Sequence, residues 1–166
     1  KAPVIGLFAR IHPMKDHITF LRAAKILIEK IPDTRFICAG GVSHGYSTFA
    51  TLVKTTATDL GLDNHIYWLG ARKDPERLMA ACDITTLTSD SGEGFPNSVA
   101  ESIACGVPCI ATDIGDSANI VSNFTSVVLP KNPQGLATEW ETVLNQSSIE
   151  QSQSTLKMRR SIIDRF

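Results

Sequence analysis

Six short apolar runs rich in strand-forming residues recur along the chain, at residues 4–9, 35–39, 66–69, 84–87, 108–111 and 126–129. Between them the apolar positions shift to helical spacing, at residues 47–60, 75–81, 97–105 and 133–145, with a further pattern at 149–166. A first helix lies between Asp16, read as its N-cap, and Pro32, which falls after its end. Ile18, Leu21, Ala24, Ile28 and Ile31 recur at helical spacing within those limits, so one stripe is expected to be buried. Strand patterns that alternate with helical ones mark βαβ units, whose parallel sheet is covered on both faces. Right-handed crossovers then make the expected fold α/β, a Rossmann-like parallel sheet with helices on both faces. The polar stretch from Gln146 to Ser154 is expected to hinge between the last two helices, and no linker is expected inside residues 1–145.

Composition narrows the possible partners. The 166 residues are 43% hydrophobic and 20% charged, the profile of one ordinary soluble globular domain. A net charge of −1 with no Lys/Arg-rich stripe argues against a nucleic-acid partner. No run approaches the roughly 18 apolar residues of a membrane span, and KAPVIGLFARIHP does not show the three regions of a signal peptide. Cys38, Cys82, Cys105 and Cys109 fall in or beside apolar segments, which fits buried thiols in a reducing compartment. No His stands at zinc-finger distance from Cys105 and Cys109, so no metal is expected there. Asn123-Phe-Thr and Asn145-Gln-Ser match the glycosylation pattern, but no secretory signal gives that match meaning. The chain opens almost at once on a strand and stops within a basic helical pattern, so it reads as an excised half of a larger protein.

An open parallel sheet binds ligands beyond the carboxyl ends of its strands. The loops at those ends, 10–16, 40–45, 70–73 and 88–97, hold the unusual residues. The most informative stretch is 90–113, DSGEGFPNSVAESIACGVPCIATD, which sets Glu93 and Glu101 eight positions apart around a Gly-Phe-Pro turn. Pro96 fits the first helical position, and Gly106-Val107-Pro108 ends the helix. A continuous helix would separate the two carboxylates by about 12 Å along its axis, and the turn leaves the true value open. That favours gripping two ends of one extended ligand over sharing a proton. The N–H groups of Phe95, Asn97 and Ser98 lie between, at the positive end of the helix, a ready site for an anion. A nucleotide-diphosphate sugar, anionic in the middle and hydroxyl-bearing at its ends, has the matching shape. Arg10 and Lys15 in the first loop suit a departing diphosphate, although alone they fit a loop with solvated charges equally well.

Taken together, these loops make the chain resemble the nucleotide-binding C-terminal domain of group 1 (family 4) retaining glycosyltransferases of the two-domain GT-B fold. The resemblance covers about residues 3–145 and rests on Glu93 and Glu101, the helix between Pro96 and Gly106, and the strand that follows. It implies that Arg10 and Lys15 contact the donor diphosphate and that Glu93 reaches the donor sugar hydroxyls. It further implies that Gly94, Phe95, Pro96 and Asn97 form the turn whose amides hold sugar and phosphate, and that Glu101 accepts from the ribose. Arg72, after Gly70 and Ala71, falls where the family's backbone meets the base, and Gly40-Gly41 matches a family glycine position that permits a close turn or a positive φ. The implied reaction moves a hexosyl group from a nucleotide-diphosphate sugar to a glycan, lipid-linked or small-molecule acceptor, with retained configuration and no metal or other cofactor. Arg10, Lys15 and Glu93 would be its catalytic residues, and the N-terminal acceptor domain would lie outside this chain. As an isolated fragment the chain is expected to bind nucleotide weakly and to transfer nothing. The full-length protein is expected to be cytoplasmic, at the inner face of the membrane.

Some residues depart from the pattern or stay outside it. Asn119 stands where the family commonly has Glu, and Asn123-Phe-Thr-Ser replaces a Gly-containing turn, so the part of this loop in sugar recognition is open. His12 and His17 flank Lys15 and are read as surface residues, with His12 conceivable as a donor near the sugar. Trp68 and Trp140 sit in strand and helix patterns that predict core packing. Two other readings remain: a nucleotide-sugar epimerase or hydrolase of related fold, and a non-catalytic Rossmann-like binding module.

Overall fold

The computed structural model describes residues 2–121, 127–146 and 148–165. Six strands, β1 (Val4–Phe8), β2 (Arg35–Ala39), β3 (Ile66–Gly70), β4 (Ile84–Leu87), β5 (Cys109–Thr112) and β6 (Val127–Val128), form one sheet in the order β3-β2-β1-β4-β5-β6. Every pairing is parallel. The helices are α1 (His17–Ile28), α2 (Ser47–Asp59), α3 (Pro75–Ala80), α4 (Asn97–Ala104), α5 (Ser117–Val121), α6 (Pro133–Leu144) and α7 (Ser148–Arg165). This is the expected Rossmann-like sheet, and its strand order reverses between β1 and β4, where such sheets open a crevice for ligands.

The two faces are built differently. Toward α1, α2 and α6, Ile5, Leu7, Phe20, Leu27, Phe36 and Trp140 form the larger core. Phe20 meets Trp140 edge-on at 5.3 Å, and the Trp140 indole donates to Thr86 Oγ1 at 3.0 Å, so its one polar atom is satisfied inside the core. The other face packs Leu87, Val99, Ile103 and Ile120 against Met158 and Ile162 of α7. β4 and β5 are buried throughout because helices cover both their sides, and their sequences, ITTL and CIAT, carry no charge.

Four readings change. Ile31 lies past the end of α1, in a turn where its N–H donates to the Leu27 carbonyl at 2.8 Å. Pro96 is the N-cap of α4 rather than its first helical residue; its ψ of 93° is extended, and its carbonyl accepts from Val99. Most of the expected hinge is helical, since α7 begins at Ser148. His17, read as a surface residue, is buried. The Asn123-Phe-Thr-Ser turn falls outside the described residues. No helix among the described residues is long and apolar enough to cross a membrane.

Candidate functional site

The loop after β1 runs through a 3₁₀ turn, Pro13–Lys15, that ends on Asp16. Asp16 then caps α1, its carboxylate accepting from the Thr19 N–H at 3.1 Å and from Thr19 Oγ1 at 2.6 Å. His12 begins the turn and accepts from the Met14 N–H at 3.2 Å, so its Nδ1 is engaged locally. This geometry presents Lys15 toward the loop after β4. There Thr88 Oγ1 donates to the Lys15 carbonyl at 2.7 Å and the Asp90 N–H to the Met14 carbonyl at 2.9 Å, so the two loops are stitched together.

Across that seam the Lys15 ammonium donates to Glu93 Oε1, with both side chains largely buried. Ser89 Oγ donates to the same oxygen, and the Ser89 carbonyl accepts from Thr112 Oγ1 of β5 at 2.6 Å. Glu93 is thus held as an acceptor by one cation and one hydroxyl. Lys15, expected on a diphosphate, and Glu93, expected on sugar hydroxyls, satisfy each other here, and the polar atoms they share are those a ligand would compete for.

A cleft of about 270 Å³ opens at the carboxyl edge of the sheet, without Lys15 or Glu93 among its walls. Arg10, Arg72, Ser98 and Glu101 line it with the backbone of Gly40 and Gly41. α4 places Glu101 there because Val99, Ser102 and Ile103 turn inward and leave its opposite side exposed. Arg72 gives its donor fork to Asp74 at 2.9 and 3.0 Å, which holds its pKa above the ordinary value and leaves the flat guanidinium face to offer. Gly94, Phe95, Pro96 and Asn97 form the turn between the ion pair and the cleft. Pro96 is buried, while Gly94, Phe95 and Asn97 are exposed. Gly40 takes no positive φ, so close approach explains it: a Cβ there would fall 1.9 Å from the Ala9 carbonyl oxygen.

The model of the group 1 glycosyl transferase family matches residues 1–163. The chain belongs to that family. It is 31% identical over 122 residues to a UDP-Gal:alpha-D-GlcNAc-diphosphoundecaprenol alpha-1,3-galactosyltransferase of Escherichia coli, an alignment covering 72% of the chain and 30% of that protein. It is 32% identical over 114 residues to a D-inositol 3-phosphate glycosyltransferase of Mycobacterium sp. strain KMS, covering 68% of the chain and 25% of that protein. The aligned part of the chain therefore covers less than a third of either relative's length. Among solved structures, HepE of Anabaena in complex with UDP and glucose superposes with a TM-score of 0.92 at 26% identity, over 99% of this chain and 44% of that one. The C-terminal domain of a group 1 family protein from Francisella tularensis shares the fold, with a TM-score of 0.85 at 24% identity over 98% of this chain and 85% of its own. The Rossmann-like half of a GT-B glycosyltransferase is the architecture in common.

In this family member several supporting residues escaped the sequence reading. Ser89, in the loop after β4, and Thr112, the last residue of β5, are small polar residues whose partners only tertiary contact reveals. Gly115, in the loop ahead of α5, has φ of +57° and packs on the Glu93–Gly94 turn, and the Asp116 N–H donates to the Gly94 carbonyl at 2.9 Å. The stretch around Asn119 thus braces the site from behind, with Asn119 itself bonded to Asp116 at 3.3 Å. Cys38 and Cys109 are buried, and burial pushes the Cys109 pKa up to about 12. Among the described residues no group of three His, Cys, Asp or Glu could hold a metal ion.

Proposed function

We propose that this chain is the donor-binding half of a retaining glycosyltransferase that takes a nucleotide-diphosphate sugar and passes its hexosyl group to a glycan, lipid-linked or small-molecule acceptor. The observation that carries this reading is the joined arrangement at the sheet's carboxyl edge. Arg10, Ser98 and Glu101 share one cleft, and the Lys15–Glu93 pair adjoins it through the Gly94–Asn97 turn. The relative solved with UDP and glucose supports the ligand class.

In this reading Glu101 accepts hydrogen bonds from the ribose, and Arg72 lays its guanidinium plane against the base. The α4 amides and Arg10 meet the diphosphate. Lys15 exchanges Glu93 for a phosphate oxygen as the donor enters, which frees Glu93 to accept from the sugar hydroxyls. An oxocarbenium-like transition state and a departing diphosphate need fixed positive charge more than a strong nucleophile. Arg10, Lys15 and the helix terminus provide it, so the reaction as proposed needs no metal. The chain alone is expected to bind nucleotide and transfer no sugar, because the acceptor side belongs to the other half.

Titration calorimetry with UDP and a panel of UDP-sugars tests the assignment. Glu101→Ala should weaken UDP binding by about 1.5–3 kcal/mol, the value of a hydrogen bond to a charged group. Glu93→Ala should leave UDP affinity equal or higher, since it releases Lys15, while weakening the sugar-bearing donor relative to UDP. Equal loss of UDP affinity in both variants would disprove the division of roles.

A further inference from the structure

Behind the donor cleft, on the α1 and α2 side of the sheet edge, lies a second cavity of about 170 Å³. His17, Lys54, Trp68 and Ile11 are among its walls, and it shares Ala9, Gly40 and Gly41 with the cleft. His17 is the unusual member. Its side chain is only 1% exposed, yet neither ring nitrogen has a hydrogen-bond partner. Buried polar side chains are nearly always paired, and an orphan in the wall of a cavity points to an occupant.

The lining indicates what kind of occupant. Burial first, and the charge of Lys15 second, lower the His17 pKa to about 4, so near neutrality the imidazole offers one N–H and one acceptor lone pair. No carboxylate lines the cavity, and the exposed Lys54 is among its walls. We propose that this cavity is a second binding site for a small phosphate-bearing anion, whose oxygen or hydroxyl meets the His17 imidazole inside while Lys54 pairs with its charge. Half-buried Trp68 and buried Ile11 leave an apolar wall for a small organic body. The site uses none of the charged side chains assigned to the donor, so it stands or falls separately from that reading.

The chain has only two tryptophans, which makes the test site-resolved. Trp68 lines the cavity, whereas Trp140 is sealed in the core on Thr86. Nitrogen-15 spectra recorded while glycerol 3-phosphate is added should show saturable shifts of the Trp68 indole and the His17 ring, with Trp140 stationary. Lys54→Ala, a change at an exposed helix position, should weaken that affinity at least about tenfold, the effect of one charge-assisted hydrogen bond. Inorganic phosphate in a parallel titration separates the sources: equal affinity assigns the site to the free anion, weaker affinity to a phosphate ester, and either sustains it. No shift at Trp68 and His17, equal movement of both tryptophans, or unchanged affinity in Lys54→Ala overturns the proposal. So does a response that saturating UDP abolishes, because the phosphate would then be occupying the donor cleft.

Discussion

His17 shows how one side chain makes stability depend on pH. Its pKa falls from 6.5 to about 4 on folding, chiefly through burial and then through Lys15, so the folded chain keeps it neutral where the unfolded chain protonates it. Between those values the unfolded state binds the extra proton. Stability is therefore complete above pH 6.5 and declines as the pH falls toward 4. At about 1.36 kcal/mol per pKa unit, the loss across that window is about 3 kcal/mol. His17→Phe keeps a ring in place, removes both orphan nitrogens, and should match or exceed the parent in stability at neutral pH. Denaturant unfolding at a series of pH values checks this: the difference between parent and variant should grow as the pH drops. A constant difference would mean that His17 is not the titrating group. Glu93 makes the complementary point, since its place is set by a cation from one loop and a hydroxyl from another, each supplied by a separate strand end.

At the level of elements, the turn that carries Glu93 and Gly94 depends on the short segment ahead of α5. Gly115 lies so close that a Cβ would fall 2.5 Å from the carbonyl oxygens of both Glu93 and Gly94, and its φ is positive. Gly115→Ala should therefore cost about 1–3 kcal/mol in backbone strain and push the Glu93 turn away from Lys15. The expected result is a lower melting temperature and a larger loss of affinity for UDP-sugar than for UDP; unchanged values for both would show that α5 does not brace the site. This support was not legible beforehand, because the five residues of α5 span less than two turns and cannot display a helical period. Apart from the C-terminal end of α1, which stops three residues short of Ile31, the strands and longer helices were legible to within a residue or two, since each has a buried face that the pattern must encode. Glu101 and Arg10 were legible as cleft residues for a similar reason: polar groups at strand ends and on the outer side of α4 have no structural need to be there. The Lys15–Glu93 pair joins residues 78 apart, and no local pattern records such a contact. The burial of His17 was equally hidden, because the surface reading treated the first residue of a helix as a solvent position when α1 enters directly over the core.

For the whole molecule, ligand binding and folding are one linked equilibrium. A nucleotide that binds the folded chain alone stabilises it by about 2.7 kcal/mol at a hundredfold excess over its Kd. For a chain of this length each kcal/mol raises the melting temperature by about 2–4 °C, so saturating UDP should raise it by roughly 5–11 °C. The donor cleft and the ion pair both draw on loops that leave β1 and β4, the two strands flanking the switch point, so the gain should register as a shift of the entire unfolding transition. Because the proposed phosphate ligands are Arg10, Lys15 and the α4 amides, the shift should persist in EDTA and fall with rising salt as charges are screened. Arg10→Ala should reduce it without altering the melting temperature of the unliganded chain, since Arg10 is exposed. A UDP-induced shift that disappears in EDTA would instead make a divalent cation part of the diphosphate site and displace Arg10 and Lys15 from the role proposed for them.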